Sequence, residues 1–202
     1  MILQLNLSRQ GTGRIENRDV SGSAHNAGTH LYVIADGTSK PNSGELVSAL
    51  SHHLLECFRH AHPVVVSCPE HALMLVLTSL DEVHSNICPD FPLASTSYLV
   101  LLVVGHTAIS IHAGDCCLGH LEKSQRLNWV NSPHCGPNWR GDLSHSLIAN
   151  SPARKTLDTT WIMATDGFWA ELSAEDQFKA VVERTLDGCA TEDDVTFMLL
   201  RT

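Results

Sequence analysis

The chain of 202 residues, 43% of them hydrophobic, fits one domain and is long enough to bury a substantial core. Its net charge of -9 argues against nucleic acid and anionic membrane surfaces as partners, because both require a basic face. No segment approaches the roughly 20 apolar residues of a membrane span, and MILQLNLSRQ lacks the basic region of a signal peptide. The seven cysteines, without Cys-x-x-Cys spacing, fit reduced thiols, so we expect a cytoplasmic protein.

The first half of the chain predicts two strands followed by two helices. Apolar runs predict strands at 2–7 and 31–35. A helix is expected from about Gly44 to His60. A second helix is expected from about Pro69 to Ser85, because proline suits the first turn and leucines recur at helical spacing.

The second half begins with two β-rich runs, STSYLVLLVVG and TAISIHAGDCCLGHL, separated by the hairpin signal Gly105-His106. In the second run we interpret Cys116 and Cys117 as strand residues that face opposite sides.

A strand TTWIMATDG, a helix LSAEDQFKAVVERTL capped by Ser173, and a last strand DDVTFMLL complete the chain. Two helices that follow each other between early and late strands favour an α+β protein with antiparallel sheets and outer helices.

Aspartates lie at the edges of four apolar strands. Each one alone is explained by a turn, in which aspartate is common. The segments are LYVIADG with Asp36, AISIHAGD with Asp115, WIMATDG with Asp166, and EDDVTFMLL with Asp193 and Asp194. If they converge, each pair of charges 4 Å apart repels by about 4 kcal/mol at an effective dielectric of 20. Only divalent cations would then make the cluster tolerable, and oxygen ligands favour Mg²⁺ or Mn²⁺ over zinc. Spacing alone does not establish the convergence.

Six segments resemble, in order, the metal-dependent protein phosphatases, the PPM family of type 2C Ser/Thr phosphatases. They are GRIENRDV, ADGTSKPNSGELVS, ASTSYLVLLV, HAGDCCLGHL, ATDGFWAELS and EDDVTFMLL. The resemblance implies an α+β fold, a four-layer αββα sandwich of two antiparallel sheets flanked by helix pairs. It also implies a single domain over residues 1–202, with a flap-like loop at about 128–158. In that loop Trp139 and Arg140 are either substrate contacts or residues without such a role.

The resemblance also implies the metal ligands. Asp36 would bridge two metals, and the carbonyl of Gly37 would bind one of them. Asp166 and Asp193 would complete the other metal, and Asp115 belongs to a third site. We expect two ions, Mn²⁺ or Mg²⁺, and an incomplete third site.

Two further residues would act on the substrate. Arg14 would bind the substrate phosphate through its bidentate guanidinium, although a solvated surface arginine is the alternative. Asp19 would orient a metal-bound water. The implied reaction is hydrolysis of phosphoserine or phosphothreonine in a phosphoprotein by that water, in signalling, by a monomer.

Three positions depart from the family pattern and support a different function, an inactive pseudophosphatase that acts as a protein-binding module. Arg18 replaces a glutamate, Pro41 replaces the histidine expected as general acid, and Ala170 replaces an aspartate of the third metal site. The retained arginine and aspartates oppose this alternative, so we favour the enzyme.

A zinc site at Cys57, His60 and His62 is a further alternative, although a polar helix end is the simpler interpretation. A cysteine-dependent phosphatase is excluded, since no arginine follows Cys135 at the required offset.

Overall fold

The computed structural model describes residues 2–122, 126–131, 148–150 and 160–201. The strands in this part of the chain are β1 (Ile2–Arg9), β2 (Asp19–Asn26), β3 (Thr29–Gly37), β4 (Thr96–Val104), β5 (Thr107–Ala113), β6 (Cys117–Leu121), β7 (Leu127–Trp129), β8 (Ile148–Asn150), β9 (Thr160–Ala164) and β10 (Val195–Arg201). The α-helices are α1 (Ser43–His60), α2 (Pro63–Val66), α3 (Pro69–Glu82), α4 (Asp166–Trp169) and α5 (Ala174–Glu183). A π-helical turn, Val83–Ile87, and a 3-10 turn, Cys88–Asp90, follow α3.

The strands form two antiparallel sheets. One has the order β1-β10-β9-β6-β7 and the other the order β2-β3-β4-β5-β8. Apolar side chains of the two sheets, such as Leu99 and Met198, pack face to face in the centre of the molecule. Helices α1 and α3 cover the outer face of the β2–β8 sheet, and α5 covers the outer face of the other. The predicted four-layer α+β sandwich is confirmed.

Strand β4 contributes side chains to two hydrophobic layers, one on each face of its sheet. Leu99, Leu101 and Val103 point into the core between the sheets, whereas Val100 and Leu102 pack under the helices. Both faces of the strand are therefore buried, so its sequence is continuously apolar instead of alternating.

The β-rich run TAISIHAGDCCLGHL forms two strands. Strand β5 ends at Ala113, and β6 begins at Cys117 in the other sheet. Gly114, at φ +84°, turns the chain between them. Cys116 therefore lies in the connection, and the interpretation of the two cysteines as consecutive strand residues was wrong.

Strand β2 was not predicted, because DVSGSAHN has few apolar residues. It is an edge strand whose order comes from pairing with β3 and from packing against α1. The predicted loop from Asn128 to Asp158 contains the end of β7 and all of β8. Residues 132–147 and 151–158, among them Trp139 and Arg140, lie outside the described residues. No helix in the described part of the chain combines the length and apolarity needed to cross a membrane.

The close packing of Gly167 against the backbone of Asp194 allows a test of how α4 is positioned. A Cβ atom there would lie 2.0 Å from the Asp194 carbonyl oxygen. We expect Gly167→Ala to lower the free energy of unfolding by about 1–3 kcal/mol, through overpacking against the rigid backbone before β10. Urea unfolding followed by circular dichroism measures this loss.

Gly44→Ala is the matched control, because the nearest atom to its Cβ would be Arg18 Cγ at 3.4 Å, an ordinary contact distance. It should leave stability within about 0.5 kcal/mol of wild type or raise it slightly, since alanine favours the helix. Equal losses in the two variants would contradict the packing explanation.

Candidate metal centre

Two of the aspartates face each other across neighbouring strands. Asp19 is the first residue of β2, and Asp36 is the residue before the last of β3. The antiparallel register pairs them directly. Directly opposed residues have Cβ atoms about 4.5–5.5 Å apart, so both carboxylates lie at the same edge of one sheet. Each residue is only 8% exposed.

Asp166 comes to this edge from the other sheet. It is the first residue of α4, directly after β9 and Thr165. The Thr165 hydroxyl donates to Asp19 Oδ2 at 2.8 Å and accepts the Thr196 N–H at 3.0 Å. This buried hydroxyl connects the ends of β2, β9 and β10, so it fixes the two sheets at the position of the aspartates.

The pair Asp193 and Asp194, before β10, divides into two different environments. Asp194 is 2% exposed, and its two oxygens accept the backbone N–H groups of Gly11 at 2.9 Å and Arg18 at 2.8 Å. Asp193 faces the aspartate edge with an 18% exposed side chain. This difference favours Asp193 as the ligand, because the oxygens of Asp194 already organise the chain before β2.

Arg14 lies at the same edge. Its Nε and Nη2 donate to the two oxygens of Asp193, and its Nη1 donates to the Ser39 hydroxyl. The arginine side chain is 18% exposed, so it is not a solvated surface residue. Its guanidinium is positioned beside the aspartates and is paired with one of them.

Asp115 lies in the connection between β5 and β6, where the chain passes from one sheet to the other. Its backbone carbonyl accepts the indole N–H of Trp169 at 2.8 Å. This bond joins the connection to α4, the helix that Asp166 begins. The connection between the two sheets therefore brings Asp115, the fifth aspartate, to the common edge.

The electrostatics show that these carboxylates interact. Burial raises the pKa of Asp36 well above the usual range, and the charges of Asp19, Asp166, Asp115 and Asp193 raise it further. Burial and the charges of Asp115 and Asp193 raise the pKa of Asp166 to about 7. The pKa of Asp19 is also raised to about 7, again chiefly by burial. The carboxylates of Asp19, Asp36 and Asp166 are thus held where their charged forms are disfavoured unless a cation is near.

The donor set fits divalent cations. Within the described part of the chain, the buried Oδ1 atoms of Asp19, Asp115 and Asp166 have no hydrogen-bond partner. Buried polar atoms without partners are rare and call for an explanation such as an ion. Carboxylate oxygens at the ends of rigid strands are the ligands that Mg²⁺ and Mn²⁺ prefer.

The three departures from the family pattern all lie near this edge. Arg18 donates through Nη1 to the Thr38 carbonyl at 3.0 Å and through Nε to Glu16 at 3.1 Å. Pro41 is exposed on the segment between β3 and α1. Ala170 is exposed at the end of α4 and supplies no ligand. Gly37 remains tightly packed, since a Cβ there would lie 2.9 Å from the Ser43 carbonyl carbon.

Sequence reasoning missed the residues that support the aspartates. Thr165 and Asp194 were not assigned a structural role, although each adjoins a candidate ligand in sequence. Glu171 was also missed; its Oε2 accepts the N–H groups of Glu192 at 2.8 Å and Asp193 at 3.3 Å. The one available signal was the doubled aspartate, since two adjacent acidic residues rarely share one role.

The four-layer sandwich with acidic residues at one edge is the fold of the bacterial PPM-type Ser/Thr phosphatases. A serine/threonine phosphatase of S. agalactiae superposes with a TM-score of 0.75 at 15% identity, over 98% of each chain. PppA, a regulatory component of the T6SS in Pseudomonas aeruginosa, gives a TM-score of 0.75 at 19% identity, over 97% of this chain and 95% of PppA. Stp1 of Staphylococcus aureus gives 0.69 at 15% identity, over 100% of this chain and 96% of Stp1. No protein-family model and no curated protein matches the sequence.

The raised pKa values predict how stability depends on pH when a chelator removes cations. The ordinary aspartate pKa is 3.8, and those of Asp19 and Asp166 in the folded chain are about 7. Between these values the folded chain binds more protons than the unfolded chain, so stability falls as pH rises. We expect the melting temperature in EDTA to decrease from about pH 5 to about pH 8 through this term.

Asp36→Asn should raise the melting temperature in EDTA at about pH 8, because it removes one repelling charge. Asp187→Asn, at an exposed position, is the control and should change nothing. If the two variants have the same pH profile as wild type, the carboxylates do not repel one another in the folded chain.

Proposed function

We propose that this protein is a metal-dependent phosphatase that hydrolyses phosphoserine or phosphothreonine in proteins. The observation that carries the proposal is the edge at which Asp36 faces Asp19 and interacts electrostatically with Asp115, Asp166 and Asp193. Five carboxylates with two nearby arginines, Arg14 and Arg18, still leave an excess of negative charge. Bound divalent cations would neutralise that charge, and the PPM-type fold supports the same assignment.

The ion ligands are assigned to the residues with oxygens directed at this edge. Asp36 and Gly37 would hold one ion, and Asp36 with Asp166 and Asp193 would hold the second. Asp115 would contribute to a third, for which Ala170 provides no ligand. Bound Mn²⁺ or Mg²⁺ would supply a water of lowered pKa and neutralise charge on the phosphoryl oxygens.

Arg14 is suited to bind the phosphate. Its planar guanidinium already makes a bidentate contact with a carboxylate, the same geometry that it would make with two phosphate oxygens. Cation binding by Asp193 would weaken the Arg14–Asp193 ion pair, since the carboxylate charge is then shared. Arg14 would thereby become available to the substrate.

Asp19 is suited to orient the attacking water. Thr165 holds its Oδ2, and in the described residues nothing donates to Oδ1. A carboxylate fixed at one oxygen and open at the other can accept a hydrogen bond from water in a set direction. The partner is a phosphoprotein; we propose that the protein acts as a cytoplasmic monomer in signalling, with neither nucleic acid nor a membrane as partner.

A pseudophosphatase is the second candidate, because Arg18, Pro41 and Ala170 remove an acidic ligand, a general acid and a further ligand. Such a module would bind phosphoproteins at the same edge without turnover. The two candidates differ in Mn²⁺-dependent hydrolysis, which the first requires and the second lacks.

Asp166→Asn tests the enzyme directly, since it removes a ligand charge with little change of shape. We expect Mn²⁺-dependent hydrolysis of p-nitrophenyl phosphate to fall by at least about 100-fold, because even outer-shell changes cost about 10–100-fold. Calorimetry should show weaker Mn²⁺ binding in the variant. The control Asp187→Asn should retain the wild-type rate.

If wild type binds Mn²⁺ but hydrolyses neither p-nitrophenyl phosphate nor phosphopeptides, the pseudophosphatase is the correct assignment. If Asp166→Asn retains full activity, the reaction takes place elsewhere in the molecule.

Pro41 predicts a substrate preference. An aryl phosphate has a good leaving group that needs little protonation, whereas phosphoserine needs a general acid. Proline has no proton to give, so wild type should favour p-nitrophenyl phosphate strongly over a phosphoserine peptide. Pro41→His should raise the ratio of the phosphoserine rate to the aryl rate by about tenfold.

Pro41→Ala serves as the control for the loss of proline rigidity and should leave the ratio of rates unchanged. An equal ratio in wild type and Pro41→His would show that another group already protonates the leaving oxygen.

A further inference from the structure

A second cluster of possible metal ligands lies on the outer helices, away from the aspartate edge. His53 and Cys57 are one turn apart on α1, and Glu82 is the last residue of α3. His53 Nε2 is 3.0 Å from Glu82 Oε2 and 3.5 Å from Cys57 Sγ. All three ligand atoms lie within 4.8 Å of one another.

The two separations that involve His53 are close to those of a tetrahedral ion. Zinc lies about 2.3 Å from thiolate sulfur and about 2.0–2.2 Å from imidazole nitrogen or carboxylate oxygen. A tetrahedral angle then places pairs of ligand atoms roughly 3.3–3.6 Å apart. The sulfur–nitrogen distance already falls in this range, and the nitrogen–oxygen distance requires a shift of only a few tenths of an ångström.

We propose that His53, Cys57 and Glu82 bind one Zn²⁺ ion, with water at the fourth position. Thiolate and imidazole ligands select zinc over Mg²⁺ and Mn²⁺, which prefer oxygen. The site is therefore chemically distinct from the aspartate edge. It is also distant from it, because His53 lies ten residues into α1, about 15 Å along the helix from its start beside Gly37.

The two histidines that follow Cys57 have other contacts. His60 Nε2 is 3.2 Å from Glu56 Oε2, and His62 Nδ1 accepts the Val64 N–H at the start of α2. The zinc site considered from the sequence, with Cys57, His60 and His62, is therefore not assembled. Helix geometry instead brings together Cys57 and the histidine four residues before it.

An ion at this position would connect α1 to the end of α3. Both helices belong to the layer that covers the β2–β8 sheet, and they pack against each other. Because the unfolded chain does not hold the three ligands together, zinc binding would add directly to folding stability. The side chains are partly exposed, so the ion can enter from solvent.

Cobalt substitution tests the proposal, because tetrahedral Co²⁺ with a thiolate ligand gives a charge-transfer absorption band. The full chain is treated with chelator, saturated with Mg²⁺ to fill the aspartate edge, and titrated with Co²⁺. We expect a thiolate–Co²⁺ band at one equivalent that Zn²⁺ abolishes. Cys57→Ser should remove the band, and His53→Gln and Glu82→Gln should weaken Co²⁺ binding by about tenfold or more.

The controls are matched in chemistry. Cys68→Ser changes another partly buried thiol beside a glutamate, since Cys68 Sγ lies 3.1 Å from Glu70 Oε2. His60→Gln changes another histidine of α1 that contacts a glutamate. Cys135→Ser changes a cysteine of the flap-like segment. All three should keep the band and the wild-type affinity.

The proposal is overturned if no thiolate band appears, or if the band survives Cys57→Ser, or if Cys68→Ser or Cys135→Ser removes it. If Cys57→Ser fails to fold, a second measurement on a different variant still tests the proposal. Zn²⁺ should raise the melting temperature of wild type but not that of Glu82→Gln, whose change is at a partly exposed side chain. An equal rise in both proteins would also overturn the proposal, whereas p-nitrophenyl phosphate hydrolysis by Glu82→Gln should be unchanged.

Discussion

Mutual repulsion among buried carboxylates is the constraint on which the candidate site depends. Asp19 and Asp36 stand in register on paired strands, and neither can move away without breaking the β2–β3 ladder. Asp166 is held on the other sheet by the packing of Gly167 against the backbone of Asp194. The two sheets therefore force together groups that would separate in a flexible chain. The free energy of this arrangement would favour the binding of a cation.

Elements of the fold could be predicted from the sequence wherever one sequence pattern was strong. Strand β4 and helix α1 were predicted because apolar runs and helical periodicity are strong in both. Strand β2 was missed because its order comes from the neighbouring strand and helix, which no local pattern records. Asp115 was correctly placed at a strand edge, but Cys116 was wrongly placed in a strand, because which sheet pairs with the following residues is not recorded in the local sequence.

The sequence identified the candidate ligands, but it did not show how they are arranged in space. Asp36, Asp166 and Asp193 were selected from strand-edge positions and from the resemblance to PPM phosphatases. The contact between Arg14 and Asp193 could not be predicted, because it joins residues 179 positions apart in sequence. The role of Thr165 was hidden for the same reason, since its partner Asp19 is 146 positions away. The proposed zinc site differs from the one considered from the sequence in its histidine: His53 contacts both Cys57 and Glu82, whereas His60 and His62 have other contacts.

The pairing of β1 with β10 determines where other polypeptides can join this chain. Ile2 stands opposite Arg201, whereas Arg9 stands opposite Val195 near the aspartates. Ile2 and Arg9 are seven residue steps apart on β1, about 23 Å along the strand. Both ends of the described chain thus emerge side by side at the rim remote from the acidic edge. A tag or fused module joined near Ile2 or Arg201 would therefore lie away from the acidic edge.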